Sequence, residues 1–272
     1  MTTPNIPSGK DMPFVQHLLE LRDRLLKIIL AIVLILLVLM PFASDLFGLL
    51  AKPLLELMPE GTDMIAIDVA SPFFTPFKLT LVLSIFLAMP VILYHLWAFV
   101  APGLYQHEKS LIFPLLTSST LLFYLGMMFA YYVVFPLVFG FMIGITPDGV
   151  EMMTDISRYL DFVLKLIFAF GIAFQVPIVT IVLVRMDIVS TDSLANKRPY
   201  IIVSAFVIGM LMTPPDMISQ TLLAVPIWLL FELGLFLARM TQAKKTKEDK
   251  SDYPLVTREE IDRIEDENKN ND

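Results

Sequence analysis

The chain of 272 residues has no cysteine and only three histidines. A disulfide framework, a thiolate metal site and a cysteine nucleophile are therefore excluded. His17, His95 and His107 are scattered instead of paired at ligand spacing, so a metal centre would have to draw on equally dispersed carboxylates. Charge is also scarce: 17% of residues are Asp, Glu, Lys or Arg, with a formal sum of -7. There is no basic stripe with interleaved aromatics of the kind that binds nucleic acid, and no GxxxxGK(S/T) phosphate loop. GxSxG and HExxH are missing too, and no serine is evidently paired with a histidine, which argues against an intramembrane hydrolase.

What is present is apolar. Hydrophobic residues make up 56% of the chain, with 21 Phe and 16 Met, and the mean hydropathy is +0.72. They fall in blocks, several of which reach the roughly 18 residues that cross a hydrocarbon core of about 30 Å. The pattern predicts an all-α polytopic membrane protein with six spans, at about 25–42, 73–100, 111–143, 159–184, 200–212 and 217–240. The fifth, at about 20 Å, is too short to cross comfortably, so either the bilayer thins there or the hairpin stops before one surface. The turn Thr213 to Asp216, TPPD, fixes where that hairpin reverses.

Residues 1–24 form a polar N-terminal segment that argues against a cleavable leader. Lys10, Arg22, Arg24 and Lys27 precede the first span, Lys109 follows the second, Arg185, Lys197 and Arg198 follow the fourth, and Arg239, Lys244 and Lys245 open the tail. The intervening loops hold only Lys52 and Arg158. Positive charge is retained on the cytoplasmic side, so both termini are expected there. The external loop 43–72 contains the apolar run Leu46 to Met58, which predicts a helical cap over the bundle, broken or kinked at Pro53. The charged tail 241–272 predicts disorder or an isolated solvated helix.

Polar groups inside spans are costly, and each is a functional candidate. Asp161 and Lys165, four apart, are placed to pair on one helix face. Gln175 precedes Pro177, whose ring and missing N–H free a carbonyl; the amide either satisfies that carbonyl or lines a cavity. Gln220 and Glu232 on the sixth span read as inward-facing glue between helices or as functional groups. Pro76, Pro90, Pro114, Pro136, Pro177 and Pro226 all lie within spans, predicting a kinked bundle with a shaped groove. Glu20, Glu108 and Phe99 lie at the positive side. Carboxylates there read either as solvated helix ends or as grips for guanidinium groups, with an aromatic ring beside them.

Six blocks in order carry a resemblance: HLLELRDRLL (His17 to Leu26), DVASPFFTPFKLT (Asp68 to Thr80), YHLWAFVAPGLYQHEK (Tyr94 to Lys109), FYLGMMFAYYVVFPLVFGF (Phe123 to Phe141), KRPYIIVSAFVIGMLMTPPD (Lys197 to Asp216) and SQTLLAVPIWLLFELG (Ser219 to Gly234). Together they resemble the TatC family, the multispanning subunit of the twin-arginine protein translocase. The resemblance implies six helices in a cupped bundle in the bacterial cytoplasmic (inner) membrane, with an external cap and no cofactor. It also implies a receptor, not an enzyme, that binds twin-arginine signal peptides of folded precursors and uses the proton-motive force. TatA-type and TatB-type single-span proteins and further copies of the chain are the implied partners. Glu20, Arg22, Phe99 and Glu108 match the family's signal-binding positions, with Glu20 and Glu108 as arginine partners and Arg22 holding the geometry. Pro53 and Asp216 match positions of structural or assembly importance.

The chain departs from the family at FGIAFQVP, where Gln175 stands in place of the commoner Glu and cannot titrate. Gln175 and Gln220 become contacts for partner helices, assisted by close packing around Gly126, Ser204 and Gly209. The competing reading is a proton-coupled transporter of small solutes that uses Glu232 and Asp161 with Lys165; no self-similarity between halves supports it.

Overall fold

The computed structural model describes residues 12–56, 64–100, 112–147, 153–212 and 217–252. Helix α1, Met12–Leu39, is an almost unbroken run of Leu, Ile and Val past Lys27. A single 3-10 turn, Met40–Phe42, carrying Pro41, joins it to α2, Ala43–Leu55. None of the most apolar stretch within Leu19–Lys52 is buried, so α1 presents its side chains to lipid. Helix α2 lies where the cap element is expected and buries its own Ala51 and Leu54. Pro53 does not break it, and α2 runs two residues further.

Helices α3, Ser71–Leu87, and α4, Met89–Val100, form one apolar stretch bent by 47° at Ala88, two residues before Pro90, which has no N–H for the ladder. Helix α5, Ile112–Phe129, passes through a π-helical turn, Ala130–Val134, into α6, Phe135–Gly144. The wider turn accommodates Pro136, which starts the next helix. Helices α7, Ile156–Ala173, and α8, Val176–Arg185, meet at Phe174 and Gln175, just before Pro177. Pro76 and Pro226, by contrast, sit inside continuous helices. The short α9, Thr191–Asn196, leads to α10, Arg198–Met212, and α11, Met217–Asp252. Among the described residues, four helices are long and apolar enough to cross a membrane, five counting the bent α3–α4 pair, with α10 shorter at 15 residues. Residues 241–252, expected as disorder or an isolated solvated helix, continue α11 as helix. Thr241 donates to the Leu237 carbonyl at 2.8 Å, and the Thr191 and Gln242 side chains lie 3.3 Å apart, tying this stretch to α9.

The core is aromatic. Phe135, Phe139 and Tyr159 interlock α6 with α7, the two Phe rings 4.5 Å apart. Gly126 and Gly171 let α5 and α7 approach: a Cβ on Gly126 would stand 2.6 Å from the Phe170 carbonyl, and one on Gly171 2.7 Å from the Phe123 ring. Gly234 does the same for α11 against α8, where a Cβ would lie 2.7 Å from the Pro177 Cα. Gly209 lies 3.3 Å, by the same measure, from the Gln220 carbonyl of α11. Gly126 and Gly209, expected to admit partner helices, are thus used for packing within the chain, while Ser204 is exposed.

At the end of the bundle that carries α2, Asp155 caps α7, accepting from the backbone N–H groups of Ser157 and Arg158 at 3.1 and 3.0 Å. Its second oxygen accepts from Ile67 N–H at 3.1 Å, and Ile65 pairs with residues 154 and 156 through two backbone bonds. The segment before α3 is thereby fastened to the start of α7. These backbone donors, Arg158 first and then Ile67, hold the Asp155 carboxyl below the usual carboxylate range.

Candidate functional site

At the opposite end of the bundle, α1 begins beside the end of α4. Arg24 joins the two helices. Its guanidinium bonds Glu20 Oε1, one turn earlier, and donates to the carbonyls of His95 at 3.4 Å and Ala98 at 3.3 Å in the last turns of α4. Ala98 is among the last four residues of α4, whose carbonyls lack intrahelical donors and carry the negative end of the helix dipole, so a cation settles there. The Glu20 carboxylate is consequently fixed next to the end of α4, where Phe99 follows Ala98. Arg24 is mostly covered, at 21% side-chain exposure, whereas Glu20 is 44% exposed. Both bonds from Arg24 fall on Oε1, and among the described residues Oε2 takes no donor.

Arg22 takes no part in this contact. Its guanidinium bonds the adjacent Asp23 at 2.7 and 2.9 Å, and its side chain is 64% exposed. The bracing expected of Arg22 is supplied by Arg24, which sits four residues after Glu20 on the same face while Arg22, at two residues, points elsewhere. Glu108 and Asp216 lie outside the described residues, so only Glu20, Arg22 and Phe99 of the predicted binding set can be placed.

Gln175 sits at the α7–α8 junction, yet its amide does not serve its own helix. Nε2 donates to the Ser119 carbonyl of α5 at 2.9 Å, and the Ser119 hydroxyl in turn accepts from the Trp97 indole at 2.9 Å. One serine thus links α4, α5 and the break before α8. Gln175 Oε1 is buried without a partner among the described residues.

Of the other intramembrane charges, Asp161 pairs with Lys78 of α3 and not with Lys165, contrary to the spacing argument. Glu232 accepts both arms of Arg198 at 2.6 and 2.8 Å, bridging α11 to the start of α10. Gln220 packs its backbone against Gly209 of the same hairpin. Neither the Lys78 nor the Arg198 pair has a signal in the sequence, since their members are 83 and 34 residues apart.

Residues 16–226 match the family profile described as Sec-independent protein translocase protein (TatC). A protein of that name from Azotobacter chroococcum mcd 1 is 60% identical over 229 residues, covering 84% of this chain and 90% of the relative. Its counterpart in Escherichia coli strain K12 is 55% identical over 232 residues, covering 85% and 90%. A crystal structure of the twin-arginine translocase receptor TatC superposes with a TM-score of 0.75 at 41% identity, covering 83% of this chain and 99% of that one. The sequence blocks, the bent and capped helical bundle and these likenesses agree: the chain belongs to the TatC family of Sec-independent protein translocase proteins.

Proposed function

We propose that this protein is the receptor and core subunit of a twin-arginine translocase, which exports folded proteins across the bacterial cytoplasmic membrane. The family is one of translocase components and not of enzymes. The observation that carries the reading is the exposed, oriented Glu20 carboxylate, held by Arg24 against the end of α4, with no donor to Oε2 among the described residues. A carboxylate fixed in this way accepts the planar fork of an arginine with two parallel N–H bonds, which a lysine ammonium cannot reproduce. Glu108, eight residues past Val100 in the sequence, supplies a second acceptor, so that two carboxylates meet two arginines. Phe99 offers its ring to an arginine or to the apolar segment of the signal peptide. Arg22, paired with Asp23, contributes to the local field and not to the grip.

In this reading the chain makes six spans with both termini cytoplasmic, as the Lys and Arg asymmetry requires, so the end bearing Glu20 faces the cytoplasm and α2 caps the external side. TatA-type and TatB-type single-span proteins and further copies of the chain gather on exposed helix faces, such as that of α10, where Tyr200, Val203 and Leu211 are all more than 60% exposed. Passage of cargo is driven by the proton-motive force, and Gln175, a neutral amide, takes no proton from it. The transporter alternative is the weaker one, because Asp161 and Glu232, its coupling groups, are each bound in an ion pair.

The test is binding of a fluorescent Arg-Arg signal peptide by the purified chain, with a Lys-Lys peptide as reference. Glu20→Ala is expected to weaken Arg-Arg binding by about tenfold or more, the scale of one charge-assisted hydrogen bond, with thermal stability retained. Equal binding by a folded Glu20→Ala chain removes Glu20 from the site.

A further inference from the structure

We propose that a groove between α3 and α7 binds an anionic phospholipid, with the headgroup phosphate held by Lys165 and Lys78 and one acyl chain lying on the stacked rings of Phe86 and Phe168. The groove is lined on its apolar length by Val82, Ile85, Phe86, Leu164 and Phe168, and Lys78, Asp161 and Lys165 stand at its polar end. Phe86 and Phe168 come from the two helices, with ring centroids 6.2 Å apart and planes 15° from parallel, which makes a flat floor. Phe168 is 43% exposed, so the floor is open to the bilayer.

The charge at the polar end is unbalanced. Lys78 and Asp161 neutralise one another. Lys165 is exposed, and Asp161, the carboxylate that lines the groove with it, is already taken. It lies nine residues into α7, about 14 Å from the first residue of that helix at 1.5 Å per residue. A helical Cα–Cβ bond tilts toward the N-terminus, and a lysine stem extends further the same way, so the ammonium rises toward the level of Asp161 and Lys78. Within the lining of the groove, two cations and one anion leave a net charge of +1, which a single phosphate monoanion balances.

A lipid satisfies this surface better than a polypeptide helix does. A partner helix would have to carry a carboxylate to the same depth at a desolvation cost. A phospholipid already presents its phosphate at the interface and its chains below, in the order in which the groove presents cations and then apolar side chains. The occupied leaflet is the one that holds the N-terminal ends of α3 and α7.

The full chain, released from detergent for native mass spectrometry with phosphatidylglycerol or phosphatidylcholine of identical chains, tests this. The unmodified protein is expected to retain phosphatidylglycerol preferentially. Lys165→Gln, a change at an exposed position, is expected to reduce that retention about fivefold, the scale of one cation near an anionic headgroup, and to leave phosphatidylcholine unchanged. Equal retention of the two lipids by the unmodified chain, or unchanged phosphatidylglycerol retention in a folded Lys165→Gln chain, overturns the proposal. A photoreactive residue at position 168 in native membranes gives a second readout. Labelling of lipid supports the assignment, and labelling of a polypeptide alone overturns it.

Discussion

Tyr131 donates its hydroxyl to the Leu49 carbonyl at 3.1 Å. Leu49 is the residue whose carbonyl the N–H of residue 53 would take in a regular helix, and residue 53 is a proline. The same arrangement recurs at the bend between α3 and α4, where Tyr124 donates to the Phe86 carbonyl at 3.2 Å, four residues before Pro90. At Pro53 and Pro90 the released acceptors are taken up by tyrosines of the α5 span, which ties α2 and the end of α3 to the centre of the fold. Tyr159 adds a third tie, to the Leu50 carbonyl at 2.8 Å.

This coupling is measurable. Tyr131→Phe is expected to destabilise the chain by about 1 kcal/mol, the scale of one hydrogen bond. In a Pro53→Ala background, position 53 regains a backbone N–H that serves the Leu49 carbonyl itself, and the same change is expected to cost much less. Thermal unfolding of the four proteins in a double-mutant cycle checks this; strict additivity contradicts it.

Asp155 predicts a pH dependence. Its folded carboxyl is held below the usual range by backbone donors, so its stabilisation is full above the unfolded carboxylate range, near pH 4, and is lost as pH falls through the folded value. Asp155→Ala is expected to lower stability by about 1 kcal/mol at pH 7, as loss of a helix cap does. The gap between wild type and variant is expected to shrink as the melting temperature is followed down to pH 3. A gap that widens on acidification contradicts the assignment.

Gln175→Glu separates docking from packing. The amide donates to the Ser119 carbonyl, a bond that an ionised carboxylate cannot make, so the variant is expected to lose about 1–2 kcal/mol of stability. Signal-peptide binding is expected to be unchanged, because Glu20 and Phe99 lie at the end of the bundle and the Gln175 amide bonds within it. Lost binding in a stably inserted Gln175→Glu chain contradicts this separation.

Hydropathy makes the helical blocks legible, and Pro90 and Pro177 mark real breaks. Pro53 reads as a break in the sequence but α2 continues past it, and the carbonyl it releases is taken up by Tyr131, 82 residues from Leu49. The spacing rule shows both its use and its limit. Applied to Asp161 and Lys165 it names a pair that Lys78, from another helix, displaces. Applied to Glu20 and Arg24 it finds the brace of the candidate site, but charge at that helix end reads equally as an ordinary solvated cluster. The bonds from Arg24 to the α4 carbonyls have no sequence signal, because any helix end offers the same acceptors.

The most direct measurement of the receptor reading is photocrosslinking from a probe at position 108, in inverted membrane vesicles, to precursors carrying either an Arg-Arg or a Lys-Lys signal. The expected result is a crosslink to the Arg-Arg precursor that is lost with Lys-Lys and weakened by Glu20→Ala. A crosslink indifferent to the arginine pair, or none from a chain shown to be inserted, would contradict a twin-arginine site at this end of the bundle.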